Sequence, residues 1–88
     1  MKTIKVIYNN STKEILDIVN EFQGKAYIEL FNGDIYKEKG KVKVLQEDYG
    51  TKSFPFLVFE DENMLGVAAI WSESNPNWRK EINRILEK

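Results

Sequence analysis

The sequence contains no cysteine and no histidine. Without cysteine there are no disulfides, no thiolate nucleophile and no thiol redox cycle. Without histidine there is no histidine-based triad and no histidine-ligated zinc site. General acid–base chemistry near neutral pH would fall to a perturbed carboxylate, lysine or tyrosine. Prolines number only two and glycines five, and no linker, internal repeat or low-complexity tract interrupts the chain. Long apolar runs are missing as well. The longest, from Met64 to Trp71, is broken by Gly66 and is far too short to span a bilayer. The opening Met1-Lys2-Thr3-Ile4-Lys5 lacks the apolar segment and small-residue cleavage site of a signal peptide, so a cytoplasmic protein without a membrane anchor is expected. Neither sign of charge dominates: 13 basic residues stand against 14 acidic ones, for a net charge of −1. A broad attraction to nucleic acid is not implied.

What is present is an ordinary globular mixture, 42% hydrophobic and 31% charged over 88 residues. That length implies a single domain, residues 1–88, with one modest core. Thr3 to Tyr8 reads as a first strand with apolar residues on both faces, which predicts a central position. Asn9-Asn10 ends it. Ser11-Thr12-Lys13-Glu14 has the capping-box form S-x-x-E, in which Ser11 Oγ accepts from the Glu14 N–H and Glu14 reaches back to the Ser11 N–H. Ile15, Leu16, Ile18, Val19 and Phe22 follow at helical spacing, and Gly24 is a natural stop. The spacing predicts a helix over 11–23.

Ala26 to Phe31 reads as a second strand. A strand, helix and strand joined by short loops predict a βαβ unit with parallel strands and a right-handed crossover. Asn32-Gly33 signals a turn. Between 34 and 48 the pattern is ambiguous. Lys41-Val42-Lys43-Val44 has period two and favours an extended edge strand protected by lysines, with a helix broken near Gly40 as the alternative. Phe56 to Glu60 reads as a third strand, Asp61-Glu62-Asn63 as a turn and Met64 to Trp71 as a fourth strand, forming a hairpin. Asn75-Pro76 supplies an N-cap and a first-turn proline for a terminal helix carrying Trp78, Ile82, Ile85 and Leu86 on one face. The expected class is α/β (α+β): β-α-β, a variable middle, then β-β-α, with a mixed sheet and helices packed on it in two layers.

Pro55 stands directly before the most strand-like stretch, where it has no N–H to donate to a ladder. Tyr49-Gly50-Thr51-Lys52-Ser53-Phe54-Pro55-Phe56, leading into a hairpin, resembles the thioredoxin and glutaredoxin superfamily. Its members carry Tyr-Gly, a serine and a proline in this arrangement before their third strand. The resemblance implies a thioredoxin-like fold and a cis Phe54–Pro55 bond. It also implies that the main chain before the proline pairs with an extended peptide or with glutathione. The middle, residues 34–48, departs from the pattern, because the family usually has a helix there. Phe56 departs as well, since a small or polar residue is usual in that place. The largest departure is at the first helix. Redox members carry C-x-x-C there, whereas Ser11 and Glu14 occupy the equivalent places here, and a hydroxyl and a carboxylate cannot exchange disulfides.

Each candidate residue has a functional and an architectural reading. Ser11 is either a helix cap or, as in the related glutathione transferases, a hydroxyl that binds a glutathione thiol. Phe54 and Pro55 either shape a bend or present main-chain groups to a partner's strand by β-addition. Trp71 is either a binding anchor or core, and Trp78, heading an apolar stripe, is assigned to the core. Lys37, Lys39, Lys41 and Lys43 form either a solvated edge or a basic strip that meets phosphates. The acidic pairs around Glu47-Asp48 and Glu60-Asp61 lack the spacing of a calcium loop, so no metal or cofactor is expected. The leading reading is a non-catalytic, monomeric protein-binding module acting through Ser11, Phe54, Pro55 and Trp71. A glutathione-type binder or enzyme using Ser11 comes second, and anion or nucleic-acid binding through the lysines third.

Overall fold

The structure, a computed structural model, describes residues 1–61, 66–70 and 78–87. Strand β1 covers Thr3–Tyr8 and is followed by a 3-10 turn, Asn10–Thr12, and by helix α1, Glu14–Asn20. Strand β2 is Tyr27–Asn32; a second 3-10 turn, Tyr36–Glu38, leads into helix α2, Lys39–Asp48. Strands β3, Phe56–Glu60, and β4, Gly66–Ile70, precede helix α3, Trp78–Leu86. Trp71, the turn at Glu62-Asn63, the loop 72–77 and the Asn75-Pro76 cap lie outside the described residues.

The sheet has four strands in the order β2-β1-β3-β4. Strand β1 runs parallel to β2, with Ile4 opposite Ile28 and Tyr8 opposite Asn32. It runs antiparallel to β3, with Ile4 opposite Phe59 and Ile7 opposite Phe56. Strands β3 and β4 pair antiparallel, Phe56 opposite Ile70. The central place of β1 accounts for its two apolar faces, because helices cover both sides. Ile4, Val6 and Tyr8 join Leu57 and Phe59 beneath α1 and α3, where Ile15, Val19 and Ile82 pack. Ile7, Phe56 and Val58 point the opposite way and meet Val42 of α2.

The extended structure expected for residues 34–48 is therefore corrected, and with it the two-layer arrangement and the lysine-protected edge strand. Residues 39–48 are helical, and the layers are helix, sheet, helix. Four alternating residues cannot distinguish a strand from a helix when the apolar positions continue beyond them. Val42, Leu45 and Tyr49, three and then four residues apart, lie against the same cluster on the sheet, and burying that stripe requires a helix. The end of α2 is set by Gly50, which has a φ of 64°. The Gly50 N–H donates to the Glu47 carbonyl at 3.3 Å and the Thr51 N–H to the Gln46 carbonyl at 3.0 Å. This pair of bonds is a Schellman motif, which uses glycine because a β-carbon is penalised in the left-handed region.

Helix α1 is shorter than its apolar pattern suggested. Beyond Asn20 the chain continues in tight turns, with the Phe22 N–H donating to Val19 O at 3.0 Å and the Lys25 N–H to Phe22 O at 2.9 Å. Phe22 stays buried nonetheless. Helix α3 is tied to the rest of the molecule by Lys2 Nζ, which donates to Ile85 O at 2.8 Å, and by the Arg79–Glu21 ion pair at 2.7 Å.

Candidate functional site

One end of the sheet gathers the chain segments that the sequence singled out. Strands β1 and β2 finish there and β3, running the other way, begins there. Ser11 therefore lies at the same end as Phe54 and Pro55. The Gly33 N–H donates to Tyr8 O at 2.7 Å and extends the pairing of β1 and β2 by one step.

The helix entrance is capped differently from the sequence expectation. Asn9, not Ser11, is the capping residue, and what it caps is the 3-10 turn Asn10–Thr12 that leads into α1. Asn9 Oδ1 accepts from the Ser11 N–H at 3.1 Å and from the Thr12 hydroxyl at 2.8 Å, and the Asn9 N–H donates to Thr12 Oγ1 at 2.9 Å. This is a reciprocal box two residues earlier than S-x-x-E. It forms there because Tyr8, held opposite Asn32, ends the strand and leaves Asn9 as the first residue free to turn. Glu14 is the first residue of α1, whose own N-cap residue, Lys13, makes no side-chain cap bond, and among the described residues Ser11 takes part in capping only through its N–H to Asn9. The Ser11 side chain is exposed.

Sequence reading missed the polar group beside this entrance. Asn32 is 5% exposed, yet every part of its amide is engaged. Its Nδ2 donates to Asn10 Oδ1 at 3.1 Å, and its Oδ1 accepts from the Asp34 N–H at 2.9 Å. Its own N–H donates to Glu38 Oε2 at 3.0 Å, and the Asn10 N–H donates to Asp34 Oδ2 at 2.8 Å. The Asn32-Gly33 turn signal pointed to the place but not to the network, whose members come from three separate segments. Among the described residues no three carboxylates are gathered to hold a metal ion.

On the other side of this end stands the loop before β3. The Phe54–Pro55 peptide is cis. Pro55 is fully buried, and Phe54 is half-buried against Ile7, Val42, Phe56 and Val58. The Ser53 N–H donates to Thr51 Oγ1 at 3.1 Å. The Phe54 main chain makes no hydrogen bond with other described residues. Between this loop and α2 runs an open groove of about 690 Å³, lined by Gly33, Lys39, Val42, Lys43, Lys52 and Phe54 among others. A second groove, about 380 Å³, lies on the far side of α2 between Lys5, Phe31, Lys41 and Val44. The helix thus divides the lysine row: Lys39 and Lys43, four apart, face the Phe54 side, and Lys41 faces the other. The single basic strip expected from an extended chain does not exist. Inside the sheet face, Lys5 Nζ pairs with Glu60 Oε1 at 2.8 Å. The hydrogen bond that Lys5 donates to the Glu60 carboxylate raises the Lys5 ammonium above the ordinary lysine range, with burial opposing the shift.

Compared by sequence, the chain matches no protein-family model and no curated protein. Compared by structure, it is similar to the J-Trx1 fragment of ERdj5, with a TM-score of 0.63 and 15% identity over 99% of this chain. The chain spans 44% of that fragment's length. It is also similar to a thioredoxin from Thermus thermophilus, with a TM-score of 0.57 and 11% identity, covering 98% of this chain and 71% of the other. The fold is thioredoxin-like. In this thioredoxin-like chain no cysteine is present anywhere, so disulfide exchange by its own side chains has no nucleophile. Ser11 is exposed and lies ahead of α1, and Glu14 is the first residue of that helix. Among the described residues no helix is long and apolar enough to cross a membrane.

Proposed function

We propose that the chain is a redox-inactive, cytoplasmic thioredoxin-like domain that works as a monomer by binding another protein at the sheet end around Ser11, Phe54 and Pro55, with Trp71, outside the described residues, as a further contact. The observation that carries this reading is the state of Phe54. Its main-chain N–H and C=O make no hydrogen bonds with other described residues, beside a fully buried proline and an open groove. Free main-chain groups at a sheet end are suited to pairing with an extended segment of a partner, and the neighbouring side chains then choose the sequence. No thiol competes for that role, so the surface recognises without reacting.

The test is recovery of partners on the tagged chain, compared with Phe54→Ala, Ser11→Ala and Trp71→Ala variants whose thermal melts show that they fold. Loss of a defined partner in the Phe54 and Trp71 variants supports the reading. Unchanged recovery in all three folded variants removes this surface from consideration. Glutathione at millimolar concentration should leave the amide resonances of residues 11 and 53–55 in place. Shifts there would favour a small-ligand site that uses Ser11.

A further inference from the structure

The groove between α2 and the loop before β3 carries charge as well as apolar surface. Its floor includes Val42, which is 3% exposed, and its rim carries Lys39, Lys43 and Lys52 against, among the described residues, a single carboxylate, Glu47. None of these three lysines forms an ion pair among the described residues, although Lys5, Arg79 and Arg84 each do. Lys39 and Lys43 sit one helical turn apart on the groove side of α2, and Lys52 stands on the loop side. From Lys39 to Glu47 the helix rises about 12 Å, the length of about four residues of extended chain.

We propose that this groove receives an extended acidic segment of the protein partner. An apolar side chain of that segment seats over Val42 and Phe54, and carboxylates on either side of it reach Lys39, Lys43 and Lys52. The inference rests on the protein-binding reading above and names the chemistry of the partner. Charge complementarity argues for the acidic segment: three cations without internal partners favour incoming anions and disfavour basic sequences. The apolar floor argues for a peptide instead of nucleic acid. Among the described residues lining the groove, Phe54 is the one aromatic side chain, so there is no run of rings on which successive bases could stack. The chain's 14 acidic residues against 13 basic ones also give a long polyanion no general attraction.

The experiment is an amide-resonance titration of the isotopically labelled protein with three probes: a blocked peptide of alternating glutamate and leucine, its lysine–leucine counterpart, and a short oligothymidine. The expected result is that the acidic peptide alone shifts Val42, Gly50, Thr51 and Phe54. Its affinity should fall about tenfold in a folded Lys39→Glu/Lys43→Glu variant. Three results overturn the proposal: no shifts at these residues, an equal response to the lysine peptide, or tighter binding of oligothymidine at the same residues. The double variant also separates this inference from the reading beneath it. If partner recovery is lost with Phe54→Ala but kept with Lys39→Glu/Lys43→Glu, the groove proposal falls and protein binding stands. If both variants keep the partner, the groove proposal falls, and the protein-binding reading then stands or falls with the Ser11→Ala and Trp71→Ala variants.

Discussion

The ring of Phe54 lies so close to Gly33 that a β-carbon on residue 33 would stand 2.8 Å from its Cε1 and Cζ. Residues distant in the chain are thereby matched in shape, and a methyl group at 33 can be admitted only if the ring moves. Gly33→Ala should displace the half-buried ring and cost about 1 kcal/mol in a urea titration. In a Phe54→Ala background the same change should cost nothing. Equal costs in both backgrounds would show that the ring is not what fills the space.

Gly40 and Gly50 make opposite predictions from the same substitution. A β-carbon at either position meets nothing within 4 Å, but only Gly50 has a positive φ, of 64°. Gly40→Ala, inside α2, should stabilise by about 0.5–1 kcal/mol. Gly50→Ala should destabilise by about 1–2 kcal/mol, because the left-handed cap disfavours a β-carbon. Urea midpoints moving in the same direction for both would contradict the helical assignment of residues 39–48 or the Schellman cap.

The Lys5–Glu60 pair predicts a stability loss at alkaline pH. The folded state holds the Lys5 proton more tightly than the unfolded chain does. Its contribution is therefore complete below the ordinary lysine range and disappears as pH rises through the raised value. Unfolding free energies of the wild type and of Lys5→Met, followed across that window, should converge as the pH increases. Parallel curves would mean that the 2.8 Å contact contributes nothing that titrates.

Asn32→Ala removes one donor and one acceptor from a nearly buried position and deprives the Asn10 side chain and the Asp34 N–H of their partner. The expected cost is about 1–3 kcal/mol by urea unfolding, with resonance changes reaching Asn10 and Asp34 in separate loops. A cost below that of an ordinary surface substitution would indicate that water replaces the amide.

The strands were largely legible because their signal is local. Ile4, Val6 and Ile7 advertise a strand buried on both faces, and Phe56 to Glu60 coincides with β3 as expected. The site was legible only in part. The Tyr49 to Phe56 motif drew attention to Phe54 and Pro55. The sequence points to a cap at Ser11 where the structure uses Asn9, because Asn9, Ser11 and Thr12 are all competent capping residues and their order alone does not rank them. The pairing of Tyr8 with Asn32 ranks them, and that is a contact between strands. Asn32 escaped notice for the same reason: a lone asparagine before glycine reads as a turn until the partners from residues 10, 34 and 38 arrive.

By itself the sequence settled what chemistry is closed to this protein, since a chain without a thiol or an imidazole cannot acquire either by folding. It also settled the strand faces, whose apolar periodicity is written residue by residue. Tertiary structure alone decided the state of residues 39–48. Four alternating residues satisfy a strand and a helix equally, and the choice fell to the helix because Val42, Leu45 and Tyr49 find Ile7, Phe56 and Val58 waiting on the open face of the sheet. That packing also parts the lysines and opens the groove beside Phe54, a consequence of burial that no local pattern contains.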